Sequence, residues 1–304
     1  MNEPGSIPVL TVHGMGLAHA WENSMLELWQ HGCEIPTQYD KPGDPLSKDC
    51  TMMIVVHDPT LEPCIHRAFP GGLDALEEYR LEVVDGIKDH WVRDPNDPDD
   101  HRWEYTYHDR LRRFKGAALV KRTLKVDSSS VFNLEAIEID QIEDIATQLA
   151  QCPHTRRANA VIWNPVTDTG ISDPPCLQSI WCRILPDSNG TLRLNMNVRF
   201  RSRDAYDAAF MNMWALISLM KTIALKVEMR LAERVLLGRY VDISDSYHIY
   251  GRRIGHFRDG FLKLVNERSF EDRTWTLEFA AEHFAEARRL IREKVKTYDE
   301  RKKS

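Results

Sequence analysis

The longest helical pattern in the chain runs from about Tyr206 to Leu237, and it limits the possible folds more than any other feature. Its large apolar residues form a face broad enough to be buried. They are Phe210, Met213, Trp214, Ile217, Met220 and Ala224. The pattern predicts one long helix packed into a core, and a chain of 304 residues is long enough to build that core.

Strand patterns surround this helix. They are "NAVIWNP", "SIWCRIL", "TLRLNMNVRF" and residues 51–58 and 238–251. "PDSNGT" between two of them is typical of a hairpin turn. Further helices are predicted over 17–33, 73–90 and from Trp275 onward. The order predicts an α+β fold without βαβ regularity, in a single domain over residues 1–304.

Composition excludes several classes of protein. The net charge is −6, so no global basic field attracts nucleic acid. The first residues lack the pattern of a signal peptide, and we find no apolar run long enough to predict a membrane span. The six cysteines include no CxxC pair, which fits a reducing cytoplasm, and the histidines show no metal-binding spacing. The prolines and acidic residues of segment 94–100 predict an exposed acidic loop, and the composition of residues 297–304 predicts a charged tail.

The hexapeptide "DPPCLQ", residues 173–178, presents a cysteine after two prolines. The prolines fix two φ angles and remove two amide donors, so Cys176 follows a stiff segment. A rigidly held thiol suits a nucleophile, but a buried cysteine in a turn before a strand has the same pattern.

Two basic segments are candidates for phosphate recognition. Arg156 and Arg157 are adjacent before a strand, and arginine forks match phosphate oxygens. Arg201 and Ser202 precede the long helix, with Asp204 near its start. The alternatives are a solvated strand edge for the arginine pair and a helix cap for the serine or aspartate.

Three further polar residues are candidates for ligand binding. Asn212 lies inside the long helix, where an amide needs partners, and its donor and acceptor can match the edge of a pyrimidine. His248 and Tyr250 are two apart in a strand, so they share a face and can bind sugar hydroxyls. Each of the three can equally be a satisfied core residue.

The order of these motifs resembles the thymidylate synthase family. An arginine pair, a cysteine, RSxD, an asparagine and HxY follow one another between about 155 and 251. Leu177 after the cysteine makes the pattern most similar to the divergent archaeal-type members. The resemblance implies a mixed sheet flanked by helices and a homodimer formed through the sheet face. It also implies transfer of a one-carbon unit from 5,10-methylenetetrahydrofolate to C5 of a pyrimidine nucleoside monophosphate.

The resemblance also implies roles for single residues. Cys176 is the nucleophile that adds to C6, and nearby arginines are expected to lower the pKa of its thiol. The phosphate is expected to contact Arg201, Ser202 and, from the other subunit of a homodimer, Arg156 and Arg157. Asn212 reads the base, His248 and Tyr250 bind the sugar, Asp204 lies near the base or folate, and Tyr107 lies beside the cysteine.

Some positions depart from the family pattern. The direct counterpart of the glutamate that organises water is Tyr79, so we predict that Glu82 (or else Glu78) takes that role. Phe200 replaces a glutamine, and Lys41 stands near the place of an early arginine. These departures leave methyl and hydroxymethyl products open. Asn212 favours a uracil base, so the expected reaction is the conversion of dUMP to dTMP. The alternatives are a hydroxymethylase acting on dUMP, dCMP or CMP, and an inactive nucleotide-binding regulator, which has no need of Cys176.

Overall fold

The computed structural model describes residues 5–94, 97, 99–123 and 130–303. The strands are β1 Val9–Gly14, β2 Cys33–Ile35, β3 Ser47–Val56, β4 Ile65–His66, β5 Phe114–Thr123, β6 Ser130–Ile139, β7 Asn159–Val161, β8 Leu177–Pro186, β9 Leu192–Phe200, β10 Arg203–Asp204, β11 Val235–Ile249 and β12 Thr274–Trp275. The α-helices are α1 Leu17–His31, α2 Gly72–Asp85, α3 Tyr107–Arg112, α4 Gln141–Gln151, α5 Pro165–Asp168, α6 Ala209–Leu231, α7 Ile254–His256, α8 Lys263–Glu267 and α9 Leu277–Lys303. A π-helix, Phe257–Leu262, joins α7 to α8.

The main sheet has the strand order β1-β3-β11-β9-β8-β7, with β2 paired to β3 and β10 paired to β11. β1 and β3 are parallel, and so are β9 and β11. The segment between each pair contains a helix, α1 in the first case and α6 in the second. The expectation of no βαβ regularity is therefore wrong for these two units. β3 pairs antiparallel with β11 and with β2, β8 pairs antiparallel with β9, and the two-residue β10 pairs parallel with β11, so the sheet is mixed.

The predicted long helix exists, but its predicted end is wrong. α6 stops at Leu231 because Ala232 adopts a left-handed conformation with φ of 52°. Val235 already begins β11, and its amide donates to the Glu228 carboxylate at 3.0 Å. The charged residues Arg230, Glu233 and Arg234 interrupt the apolar pattern at this junction. The helix is long and apolar enough to cross a membrane, but 67% of its most apolar window is buried inside the fold.

The sheet has two different faces. One row across it is buried: Val12, Ile54, Asp242, Val198 and Ile180. The adjacent row, one residue further along each strand, is half or fully exposed: Thr11, Met53, Ile243, Arg199 and Ser179. Because side chains alternate along a strand, one face packs on α1 and α6 and the other faces outward.

The β8–β9 hairpin lies where the sequence predicts it. Gly190 in its turn has φ of 82°, a left-handed value that glycine adopts without strain. The hairpin sets Leu177 opposite Phe200. The beginning of β8 and the end of β9 therefore meet at one edge of the sheet, where the candidate site residues cluster.

Several elements lie outside the sequence predictions. The β5–β6 hairpin, the strand β1 and the helix α4 have no counterpart there. Of the predicted acidic loop 94–100, the described residues Asp94, Asp97 and Asp99 are exposed, while 95, 96 and 98 lie outside the described residues. Most of the charged tail 297–304 continues α9 to Lys303, and Ser304 is outside the described residues.

Candidate active site

Cys176 lies directly before β8, in a turn held by Arg201. The Arg201 guanidinium donates to the carbonyl of Pro174 at 2.6 Å and to that of Pro175 at 3.1 Å. The Arg201 amide also donates to the Cys176 carbonyl at 2.9 Å. Prolines offer acceptors without donors, so an arginine fork is a suitable partner for this segment. Cys176 is half-buried at the margin of the core.

Two tyrosine hydroxyls hold the backbone of the same turn. The Leu177 amide donates to the hydroxyl of Tyr107 at 3.3 Å. The Cys176 amide donates to the hydroxyl of Tyr105. Thr106 caps α3 by accepting from the Asp109 amide at 3.0 Å, which places Tyr107 in the first turn of that helix. Tyr107 is therefore beside the cysteine, as the resemblance implies, and Tyr105 was missed because it has no counterpart in the motif.

The pKa of the Cys176 thiol differs from the expectation. Burial raises it, the charge of Asp173 raises it further, and only Arg201 acts to lower it. The expected lowering by several arginines is thus wrong for the single chain. The reason is geometric: Arg156 and Arg157 are exposed at the start of β7, the last strand of the sheet, beside Trp181. They do not join Arg201 around the thiol.

Asn212 is buried in the first turn of α6 and has a defined partner. Its side-chain Nδ2 donates to the hydroxyl of Tyr79 at 2.7 Å. Tyr79 is the residue that the resemblance implies at the position of the family's glutamate. Burial raises the pKa of Tyr79, and the charge of Glu82 adds to that effect. The contact brings α2 and α6 together at the site.

Glu82 lies one helical turn after Tyr79 and lines a cavity of about 370 Å³. Other residues around it include Trp103, Tyr105, Tyr107 and Asp173. Burial raises the pKa of Glu82, and the Lys88 ammonium at 3.2 Å opposes that rise. Glu78 contacts the same lysine at 2.8 Å and is more exposed than Glu82. Of the two glutamates, Glu82 is therefore the one that faces the tyrosines beside Cys176.

His248 and Tyr250 lie together, with ring centroids 4.6 Å apart. The His248 Nδ1 lies 3.1 Å from the Ser246 hydroxyl, which donates to Asp49 at 2.8 Å. Burial lowers the pKa of His248 to about 4, so its ring is neutral at neutral pH. With Nδ1 protonated toward Ser246, Nε2 is an acceptor. This buried atom has no hydrogen-bond partner among the described residues.

Asp204 accepts from the amides of Tyr206 and Asp207 at 3.0 and 2.8 Å, in the turn before α6. Burial raises its pKa to about 6. Burial raises the pKa of Tyr250, and the charge of Asp204 adds to that effect. Ser202 is half-buried between Arg201 and the buried Arg203.

Arg203 was not identified from the sequence. Its guanidinium pairs with Asp242, with Nη2 and Oδ1 2.6 Å apart, and both side chains are almost fully buried. The "RSRD" motif therefore contains one arginine at the cysteine turn and one inside the core. Period-two alternation would place Arg201 and Arg203 on the same face of an extended segment, so it does not predict this difference.

These residues can be compared with known proteins. A family model described as thymidylate synthase matches residues 72–297. The chain belongs to the thymidylate synthase family. Members are one-carbon transferases, so the protein is an enzyme of that class.

Relatives of the thymidylate synthase family support this assignment. A protein named "Putative thymidylate synthase" from Methanosarcina mazei is 27% identical over 240 residues, covering 79% of this chain and 88% of the relative. One with the same name from Methanocaldococcus jannaschii is 28% identical over 247 residues, covering 80% and 91%. Their archaeal source agrees with the pattern that includes Leu177.

A solved structure, the thermostable thymidylate synthase A from Bacillus subtilis, shares the fold. The TM-score is 0.55 at 14% identity, over 81% of this chain and 84% of the other. The expected mixed sheet flanked by helices is thereby confirmed. At this identity the likeness shows the fold alone.

Proposed function

We propose that this enzyme transfers a one-carbon unit from 5,10-methylenetetrahydrofolate to C5 of dUMP and forms dTMP. The observation that carries the proposal is the geometry of the turn at Cys176. Arg201 donates to carbonyls of this turn, and the hydroxyls of Tyr105 and Tyr107 lie at its backbone amides. Such a turn presents one thiol in one orientation, which covalent addition to C6 of the base requires.

Cys176 has to react as the thiolate. Its pKa is raised in the single chain, so a further positive charge or a bound substrate has to favour ionisation. The half-buried position leaves a path by which the thiol proton reaches solvent. Arg201 supplies part of the positive charge, since its guanidinium already acts to lower the thiol pKa, and we propose that the rest comes from the partner subunit or the bound substrate.

The remaining residues take the nucleotide. Arg201 uses two donor contacts on proline carbonyls, and its other N–H groups, with the Ser202 hydroxyl, are free to bind phosphate oxygens. The neutral ring of His248 accepts a sugar hydroxyl at Nε2, and Tyr250 binds beside it. Asn212 pairs with the base edge.

We propose that a homodimer completes the phosphate site. The outward row on the sheet that includes Met53, Ile243 and Arg199 supports this, because it is half or fully exposed in the single chain. Packing two such faces together would bring Arg156 and Arg157 of the partner subunit toward Arg201. Two added guanidinium groups there would also lower the pKa of the Cys176 thiol.

The cavity beside Glu82 fits the folate. Trp103, Tyr105 and Tyr107 offer aromatic surface for a flat ring system, and Glu82 and Asp173 offer acceptors for its N–H groups. When bound there, the folate supplies the one-carbon unit. The raised pKa of Glu82 suits a carboxyl that passes protons through water, and we propose that Asp204 lies near the base or the folate.

A hydroxymethyl product is the second candidate. The carboxyl of Glu82 lines an open, polar cavity, and water that reaches the reacting carbon yields hydroxymethyl instead of methyl. The candidate bases are those of dUMP, dCMP and CMP. A nucleotide-binding regulator without activity is the third, and the held thiol argues against it. A cytoplasmic location is part of the proposal, because both substrates dissolve in water.

The test is release of tritium from C5-labelled dUMP in the presence of 5,10-methylenetetrahydrofolate. We expect release by the wild-type chain, loss of release in Cys176→Ser, and nearly unchanged release in Cys152→Ser, another half-buried cysteine that lies outside the site. Mass spectrometry of the nucleotide then separates methyl from hydroxymethyl. If uracil and cytosine nucleotides all keep their label with the wild-type enzyme, the proposal is wrong.

A further inference from the structure

The contact between Tyr79 and Asn212 lies at the centre of the proposed base site. Tyr79 occupies the place where the family pattern has a glutamate, and its hydroxyl is 2.7 Å from Asn212 Nδ2. The Asn212 side chain is almost fully buried, with 7% of its surface exposed. A buried amide with one fixed partner has few alternative orientations.

The direction of this hydrogen bond matters because an amide has two different ends. Rotating the Asn212 side chain by half a turn exchanges Nδ2 and Oδ1. Uracil presents an N3–H donor and an O4 acceptor, whereas cytosine presents an N3 acceptor and an amino donor. One orientation of the amide matches uracil and the other matches cytosine.

The Tyr79 hydroxyl can donate or accept, so something has to set its direction. Glu82 lies one turn later on α2, and its carboxylate charge is the largest influence on Tyr79 after burial. A nearby anion attracts the hydroxyl proton and leaves the oxygen lone pairs for Nδ2. Asn212 then keeps a second N–H for O4 and its carbonyl for N3–H.

We propose that Tyr79 is the residue that fixes base specificity: as an acceptor set by Glu82, its hydroxyl locks the Asn212 amide in the orientation that selects a uracil nucleotide over a cytosine nucleotide. This inference rests on the proposed function and names its substrate class. It makes Tyr79 a positioning residue, since it acts through Asn212.

Binding measurements test the inference without chemistry. In a Cys176→Ser background, dissociation constants for dUMP and dCMP are measured by isothermal titration calorimetry. The parent is expected to bind dUMP more tightly than dCMP. Tyr79→Phe removes the hydroxyl and keeps the ring, and we expect the preference for dUMP to fall by about tenfold, because one orienting hydrogen bond is lost.

Glu82→Gln is the second variant and covers the case in which Tyr79→Phe fails to fold. Without the carboxylate charge, nothing from Glu82 holds the tyrosine proton away from Asn212, so the preference is expected to fall here too. Tyr206→Phe is the matched control: it removes a buried hydroxyl that bonds His256 at 2.9 Å, away from Asn212. We expect that control to keep the parent's preference.

The outcomes separate the two proposals. If the parent binds dUMP but the Tyr79 and Glu82 variants keep its full preference, the inference is wrong and the proposed function stands. A parent that prefers dCMP also overturns the inference. If the parent binds neither nucleotide, both are wrong.

Discussion

The buried ion pair between Arg203 and Asp242 offers the sharpest test of how the site is supported. Two contacts of 2.6 Å join the guanidinium to the carboxylate, and the side chains are 2% and 0% exposed. The Tyr240 hydroxyl also donates to the Asp242 carboxylate at 2.7 Å. The Arg203 guanidinium lies 4.5 Å from the Phe200 ring centroid. Removing one partner leaves the other charge buried without compensation.

We therefore expect Asp242→Leu and Arg203→Met each to lower the free energy of unfolding by about 3–5 kcal/mol. An unfolding entropy of about 2.1 cal/mol/K per residue gives roughly 0.6 kcal/mol/K for this chain. Each single substitution should then lower Tm by about 5–8 °C. The double variant removes both charges, and its loss should be at least about 2 kcal/mol smaller than the sum of the single losses.

The assay is guanidinium unfolding followed by circular dichroism and tryptophan fluorescence, with calorimetry for Tm. Protein concentration is held constant across variants, because a dimer's apparent stability depends on it. Arg289→Met with Glu293→Leu is the matched control, since that ion pair is exposed on α9 and should contribute little. Single losses below about 1 kcal/mol, or a double loss equal to their sum, would refute the reasoning.

Three further results are expected. Burial raises the pKa of Asp49 in the folded protein to about 6, against about 3.9 in the unfolded chain, so the free energy of unfolding falls as pH rises from about 4 to 6. Asp49→Asn should remove this decline and add about 1–3 kcal/mol to the free energy of unfolding at pH 7. Urea unfolding at a series of pH values measures both effects. Tyr107→Phe frees the Leu177 amide and should lower kcat by about tenfold with little change in dUMP binding, measured by steady-state kinetics and calorimetry. Glu82→Gln should lower kcat by about 10²-fold or more and remove from the pH–rate profile the ionisation that belongs to Glu82, while that of the Cys176 thiol remains; an unchanged profile would exclude Glu82 as the proton-transfer group.

The sequence predicted the fold class, five strands of the main sheet and four of the helices, because their signals are local. The "PDSNGT" turn, the strands β8 and β9 and the helix α1 each have a clear period or a turn residue. The end of α6 and the β5–β6 hairpin were harder to predict from the sequence. Apolar residues stand on both sides of the charged residues Glu233 and Arg234, and pairing of Val235 with β9 decides where the strand begins.

The site residues likewise divide into those that the sequence predicted and those that only the fold revealed. The residue types and their order predicted Cys176, Arg201 and Asn212 as candidates, and the fold sets each of them near tyrosines of the same region. The sequence did not reveal that Tyr79 and Tyr105 contact two of these residues. Those contacts join segments about a hundred residues apart, and no local pattern records such pairing.

The sequence by itself determined the chemistry that is available, because the order of side chains along the chain fixes which nucleophile, cations and amide a fold can bring together. Tertiary structure alone decided the state of those groups. Burial raises the pKa of the Cys176 thiol and lowers that of His248, and the sheet's edge sets Arg156 and Arg157 apart from Arg201. Charge and protonation depend on distance and solvent exposure, and both arise only when distant segments pack.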